Sequence, residues 1–393
     1  MPHSVARIDL GALSSNIDQV RGVLPRGFGI LFPVKADAYG HGLEAIAQTA
    51  ADCGVDALGV ATVDEGARIR RVGVKLPVHL LSPILPGDAR AAIELGLTLQ
   101  VSDLESALHL GRAAREMRAI AHVQVNVDTG MRRFGALPEE ALDLIRNATR
   151  ISSLAIDGVF SHLSVADSET QDDQAFSLSQ IARFRALLST LDHAGLLPRL
   201  RHIANSAAVI QYTDEVTAPP LNMARVATLL LGYPEVRRPW TERVHPVATL
   251  STRVIALKNL VTGDSAGYGR AYRAQRQERL AILPIGYGSG YSSQLAHGGT
   301  VLVRGRRAPV VGKICLEHTL VNVTRIPNVS VGDEVEVFGP RLPADAAACA
   351  AGLEVCQLLV PALRGAQART YIRSRVTPEE SASPLVSLSA TPC

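Results

Sequence analysis

Eight short apolar runs recur through the first ~235 residues, each followed by a stretch long enough for a helix, and this alternation restricts the fold more than any other feature. The runs fall at 30–35, 57–61, 78–81, 97–101, 119–127, 154–160, 200–204 and 222–226, with amphipathic patterns at 43–53, 103–117 and 174–194 between them. Strands that alternate with helices pair in parallel, and eight of them suit a closed barrel. The expected fold class is α/β, an N-terminal (β/α)8 TIM-like barrel over residues 1–236. From about Pro239 the pattern shortens to VATLSTRVIAL, RLAILPIG, TVLVRG, APVVGKICL, HTLVNVT and DEVEVFG, separated by Gly, Pro and Asp turns. That predicts a C-terminal all-β domain over 237–376. Residues 377–393 are rich in Ser, Pro and Thr and are expected to be disordered.

A barrel of this kind gathers its ligand at the C-terminal ends of the strands. Polar residues fall there: Lys35 closes the first run, His162 follows the sixth, Asn205 and Ser206 follow the seventh, and Arg225 ends the eighth. Lysine is scarce in this chain. Of 40 Lys and Arg only Lys35, Lys75, Lys258 and Lys313 are lysine. An amine that loses its proton can condense with an aldehyde, whereas a guanidinium stays charged. Taken alone, Lys35 reads equally well as a buried or snorkelling lysine.

The stretch that contains it, FPVKADAYGHG at 32–42, closely resembles the cofactor-lysine motif of alanine racemases, with Asp37 where that family usually has Asn. The resemblance continues in order through NVDTGMRRFG at 126–135, FSHLSVAD at 160–167, HIANSAA at 202–208, GYGRAY at 267–272 and ILPIGYGSGY at 282–291. It implies a pyridoxal 5'-phosphate enzyme that racemises an amino acid, by default alanine, with two bases on opposite faces of the substrate. One base is Lys35; the other is Tyr268, supplied by the second subunit of a homodimer. A phenol ordinarily titrates near ~10, so positive charge nearby must help it act as a base.

The same resemblance assigns further roles. Arg225 stands beside the pyridine nitrogen, His202 supports it and His162 lies near the ring. Tyr39, Ser206, Ala227 and Thr228 contact the phosphate, with Asn205 next to them and Val226-Ala227-Thr228 in place of the usual Pro-Gly-Ile. Arg133 holds the substrate carboxylate, and Tyr287, Leu316 and Glu317 border the substrate pocket. Departures from the family fall on that border. Cys315-Leu316-Glu317-His318 replaces the usual Met-Asp-Gln run, Ser293 and Lys313 take the places of entrance arginines, and Pro361 falls roughly at a family tyrosine. These changes leave open a racemase or epimerase of serine or of a basic or larger neutral amino acid. A decarboxylase or aldolase on a similar barrel fits less well, because Tyr268 and Arg225 speak against the decarboxylases, which usually place an acidic residue at the ring nitrogen. A carrier protein for the cofactor fits less well because carriers lack a second β domain.

Composition narrows the classes further. A net charge of +3 with interspersed signs offers no footprint for nucleic acid, and no run approaches a membrane span of ~18 residues. The N-terminus lacks a signal-peptide pattern, so a cytoplasmic protein is expected. The five Cys are scattered without paired spacing, so no structural or catalytic metal is expected.

Overall fold

The computed structural model describes residues 3–374, so the expectation for 377–393 lies outside the described residues. The described chain forms two compact units, one of Ser14–Ala38 with Leu43–Val244 and the other from segments within Met1–Leu13, Tyr39–Gly42 and His245–Cys393.

The first unit is the barrel. The first strand of the chain, β1 (Ser4–Asp9), belongs elsewhere. The barrel strands are β2 (Gly29–Pro33), β3 (Ala57–Val60), β4 (Val78–Leu80), β5 (Leu97–Val101), β6 (Ala121–Asn126), β7 (Leu154–Phe160), β8 (Leu200–His202) and β9 (Met223–Arg225). They form one parallel sheet in the order β8-β7-β6-β5-β4-β3-β2-β9. Closure comes from β9, which pairs with β2 and meets β8 through Asn222 N–H to Arg201 O at 3.1 Å and Arg225 N–H to Ala204 O at 3.0 Å. Residues of β2 to β5 are buried throughout. The outer helices cover one face of each strand and the packed barrel interior the other, which is why these segments read as unbroken apolar runs.

The second unit is mostly β. Residues 4–9, counted with the barrel above, form β1, which lies between Ala248–Arg253 (antiparallel) and Ala368–Ile372 (parallel). Glu334–Phe338, Thr300–Val303 and Arg306–Pro309 complete this six-stranded sheet. A three-stranded sheet joins Ala256–Leu260, Glu278–Leu283 and Thr319–Asn322, and Ser265–Ala266 pairs with Tyr272–Arg273. The all-β expectation needs one correction: Ala344–Ala350 and Val355–Arg364 are helices. An alanine-rich ADAAACA run favours helix, and VCQLLVPALR buries Leu358, Leu359, Ala362 and Leu363 along one face despite Pro361. No single helix among the described residues is long and apolar enough to cross a membrane.

Candidate active site

Lys35 does not end β2 in ladder geometry. The strand stops at Pro33, and Lys35 opens a turn in which Ala36, Asp37, Ala38 and Tyr39 all have left-handed backbone, with φ of 54°, 61°, 51° and 53°. Each such non-glycine residue costs ~1–2 kcal/mol, so the turn stores several kcal/mol that its surroundings must offset. The buried Glu65 carboxylate accepts from Ala36 N–H at 2.6 Å and from Ala61 N–H at 2.9 Å. Asp37 Oδ1 accepts from Leu43 N–H at 3.1 Å and from Arg68 at 2.7 Å, and Arg68 also pairs with Glu44 at 2.7 Å. Hydrogen bonding to Arg68 holds the Glu44 carboxyl below its ordinary range. Gly42, at φ 97°, closes the motif because a Cβ there would meet the Tyr371 hydroxyl at 2.0 Å. Arg68→Ala removes both ion pairs from this clasp. It is expected to lower stability by about 1–3 kcal/mol, read from the urea midpoint, whereas Asp37→Asn keeps an acceptor for Leu43 N–H and costs less.

Arg225 is the buried centre of the barrel's C-terminal end. Its Nη1 donates to His202 Nδ1 at 2.5 Å; its Nη2 donates to Ser161 O at 2.6 Å, Ile203 O at 3.1 Å and His162 Nδ1 at 2.9 Å. The Nε–H donates to nothing among the described residues and is the donor left for a ligand. Burial and the charge of Arg133 push Arg225 down to about 9, which still leaves it protonated at neutral pH. A guanidinium has no acceptor, so both imidazoles must accept at Nδ1 and stay neutral. Burial first, then Arg225, Arg133 and Lys35, holds His162 well below the ordinary histidine range; burial, Arg225 and His79 do the same for His202. Lys35, Arg133 and Arg225 therefore act together on one imidazole, and the site concentrates positive charge suited to a phosphate and a carboxylate.

The neighbouring loops provide a polar cradle. Asn205 caps the short helix Ser206–Gln211, accepting from Ala208 N–H at 2.9 Å. Ser206 Oγ accepts from Ala227 N–H at 2.9 Å and ties the loop after β8 to the loop after β9. The Ala227 amide is thereby engaged within the protein, and the Ser206 hydroxyl proton is free to face a ligand. Thr228 donates its hydroxyl to Glu235 at 2.8 Å. Arg133 is exposed on the loop after β6, which Asp128 shapes by accepting from Gly130 and Arg132 amides.

In the β unit, Tyr268 sits at the tip between the paired strands Ser265–Ala266 and Tyr272–Arg273, on a turn that Gly267 and Gly269 enter with positive φ. It is 70% exposed. Tyr287 and Leu316 are 53% and 52% exposed and adjacent, because Tyr287 N–H and Gly288 N–H bond Cys315 O and Leu316 O at 3.0 and 2.8 Å. Glu317, Ser293 and Lys313 are also exposed. Pro361 lies inside the helix Val355–Arg364, and its carbonyl crowds Gly290, where a Cβ would stand 2.2 Å away. Tyr39 belongs to this unit, and its carbonyl meets His41 Nδ1 at 3.1 Å.

Sequence reasoning missed Glu65, Arg68, Gln124 and His79. Gln124 and His79 are buried in β6 and β4 and continue the polar line from His202, with Gln124 2.7 Å from His202 and 2.6 Å from His79. Their signal was a polar residue inside an otherwise apolar run. Burial, with the Arg199 charge second, pushes His79 down to about 4. Three histidines thus stay neutral in the fold but protonate when it unfolds. Stability should be flat above pH ~6.5 and fall as pH drops from there toward ~4, approaching about 4 kcal/mol per pH unit while all three remain neutral. Urea midpoints at pH 7.5, 6 and 5 measure this; midpoints that do not move would contradict it.

Known proteins resemble this chain along both units. The profile described as alanine racemase, N-terminal domain, matches residues 8–234, and that for the C-terminal domain matches 247–366. An alanine racemase of Geobacter sulfurreducens is 38% identical over 337 residues, covering 86% of this chain and 87% of the relative. One of Halothermothrix orenii is 35% identical over 341 residues, covering 86% and 87%. The solved alanine racemase of Clostridium difficile 630 superposes with a TM-score of 0.87 at 28% identity, covering 95% of this chain and 97% of that one. With both domain profiles matched in order along a barrel and a β unit of this architecture, the chain belongs to the alanine racemase family.

Proposed function

We propose that this protein interconverts L- and D-alanine with pyridoxal 5'-phosphate. The observation that carries the reading is Arg225, buried, fixed by two neutral imidazoles, and left with one donor at a barrel end where Lys35 and Arg133 add charge. The donor set fits the cofactor: Lys35 for its aldehyde, Arg225 Nε–H for its ring nitrogen, and the Ser206 hydroxyl, with Asn205, Thr228 and Tyr39 beside it, for its phosphate; the Ala227 amide and the Thr228 hydroxyl are already committed to Ser206 and Glu235. When bound, pyridoxal phosphate supplies an electron sink for charge developing at Cα.

The residues of the chain do the rest. Arg133 orients the substrate carboxylate. Lys35 removes or returns the Cα proton on one face, and Tyr268 of a second copy serves the other. Arg225 keeps its proton, since its guanidinium remains cationic and its two Nη groups are committed to Ser161, Ile203, His162 and His202. It therefore leaves the ring nitrogen without a full positive charge, which favours return of the proton over side reactions. The exposed Tyr268, Tyr287 and Leu316 support a homodimer in which the β domain, with β1 counted in it, completes the partner's site. We place the enzyme in the cytoplasm, where its small amino-acid substrate is found.

The alternative of another amino-acid substrate is not favoured, because the relatives that match 86% of the chain are named alanine racemases. Purified protein given the cofactor and L-alanine should reach equal amounts of both enantiomers by chiral chromatography. A failure with alanine alongside rapid turnover of serine, lysine or arginine would reverse the choice of substrate.

A further inference from the structure

A line of hydrogen bonds leads from Arg225 into the barrel. Arg225 Nη1 donates to His202 Nδ1, His202 Nε2 lies 2.7 Å from Gln124 Oε1, and Gln124 Nε2 lies 2.6 Å from His79 Nδ1. All four side chains are buried. His202, Gln124 and His79 come from β8, β6 and β4, alternate strands whose inward residues share a layer that is ordinarily filled by branched apolar side chains.

Only one proton arrangement fits the three bonds of the line, and it leaves the buried His79 Nε2–H without a partner among the described residues. The guanidinium can only donate, so His202 Nδ1 accepts. The neutral ring then carries its proton on Nε2 and donates to Gln124 Oε1. The amide, oriented by that bond, donates from Nε2 to His79 Nδ1, and His79 keeps its own proton on Nε2. A carboxylate at 124 could accept from one ring but could not donate to the other. Gly158 leaves the room required, because a Cβ there would stand 3.0 Å from Gln124 Cδ.

We propose that Gln124 is a positioning residue for Arg225. Its amide fixes the ring plane of His202, and that ring fixes the guanidinium, so that Nε–H is the donor turned to the ligand. Without an acceptor at Gln124 the buried His202 Nε2–H can regain a bond only by turning the ring, which withdraws Nδ1 from Arg225. The catalytic consequence rests on the proposed function; the proton arrangement does not.

The test uses the cofactor-loaded protein labelled with 15N-histidine, because ring nitrogen shifts distinguish protonated from unprotonated sites. His202 and His79 should both carry the proton on Nε2 and show no titration between pH 5 and 8. In Gln124→Glu, His202 should be unchanged while His79 moves its proton to Nδ1 to face the carboxylate. In Gln124→Met, which keeps the volume but neither bond, the His202 shifts should change and kcat should fall on the order of 10- to 100-fold, the effect of a misplaced group of about 1 Å. A wild-type His79 protonated on Nδ1, an unmoved His79 in Gln124→Glu, or an unaltered His202 and kcat in Gln124→Met would each overturn the proposal. The wild-type spectrum decides the arrangement even if neither variant folds. The expected tautomers in a protein with no racemase activity would support the arrangement and count against the proposed function instead.

Discussion

Lys35→Ala is expected to abolish racemisation, lowering kcat by about 10⁴-fold or more, because one side chain both anchors the cofactor and moves the proton on one face. The purified wild-type protein should be yellow, and the variant should lose its visible absorbance on dialysis. Borohydride reduction and peptide mapping should place the pyridoxyl group on Lys35. Recovery of the label on Lys75, Lys258 or Lys313 would show that the left-handed turn at 35–39 serves some other purpose. The turn itself supports the assignment: strain in four successive residues, held by Glu65, Asp37 and Arg68, marks a place where position matters more than local stability.

Tyr268→Phe is expected to cut kcat by about 10²- to 10⁴-fold, the usual contribution of a general acid–base group, while leaving cofactor absorbance and dimerisation intact. The exposed hairpin tip that carries Tyr268 has few contacts to lose, so the fold should not change. Exchange of the Cα proton with solvent separates the two variants. Tyr268→Phe should still exchange that proton from the enantiomer that Lys35 serves, whereas Lys35→Ala should exchange neither efficiently. Equal residual rates in both directions with no loss of exchange from either enantiomer would argue that Tyr268 is not the second base.

Most of the barrel was legible because parallel strands covered on both faces leave unbroken apolar runs, and 97–101 and 154–160 were placed to the residue. Other features depend on contacts that no local pattern records. SVARID alternates weakly, and its partners lie more than 240 residues away at Thr252 and more than 360 away at Ala368, so β1 could not be assigned to the β unit in advance. Lys35 was expected at a strand end, yet nothing in Ala-Asp-Ala-Tyr announces a left-handed turn except the tolerance of Asp for that conformation. The strand pattern alone brought His162 and Arg225 to one end of the barrel, whereas their roles and the part of His202 were readable only by resemblance. The extension of this cluster through Gln124 to His79 was readable in neither way, since a glutamine in HVQVN looks like any polar interruption of a strand. The helices of 344–364 were lost to an all-β reading because short apolar runs do not distinguish strand from helix.

Mixing the two inactive variants tests the central claim, a cofactor enzyme whose two bases come from different copies of the chain. In a hybrid dimer of Lys35→Ala and Tyr268→Phe chains, a site shared between subunits is wholly wild type on one side and doubly altered on the other. Random reassortment should then restore about a quarter of the wild-type racemisation of alanine. A mixture that reassorts, as shown by mass-tagged chains, yet stays as inactive as its parents would contradict the account, because each site would then draw Lys35 and Tyr268 from a single chain.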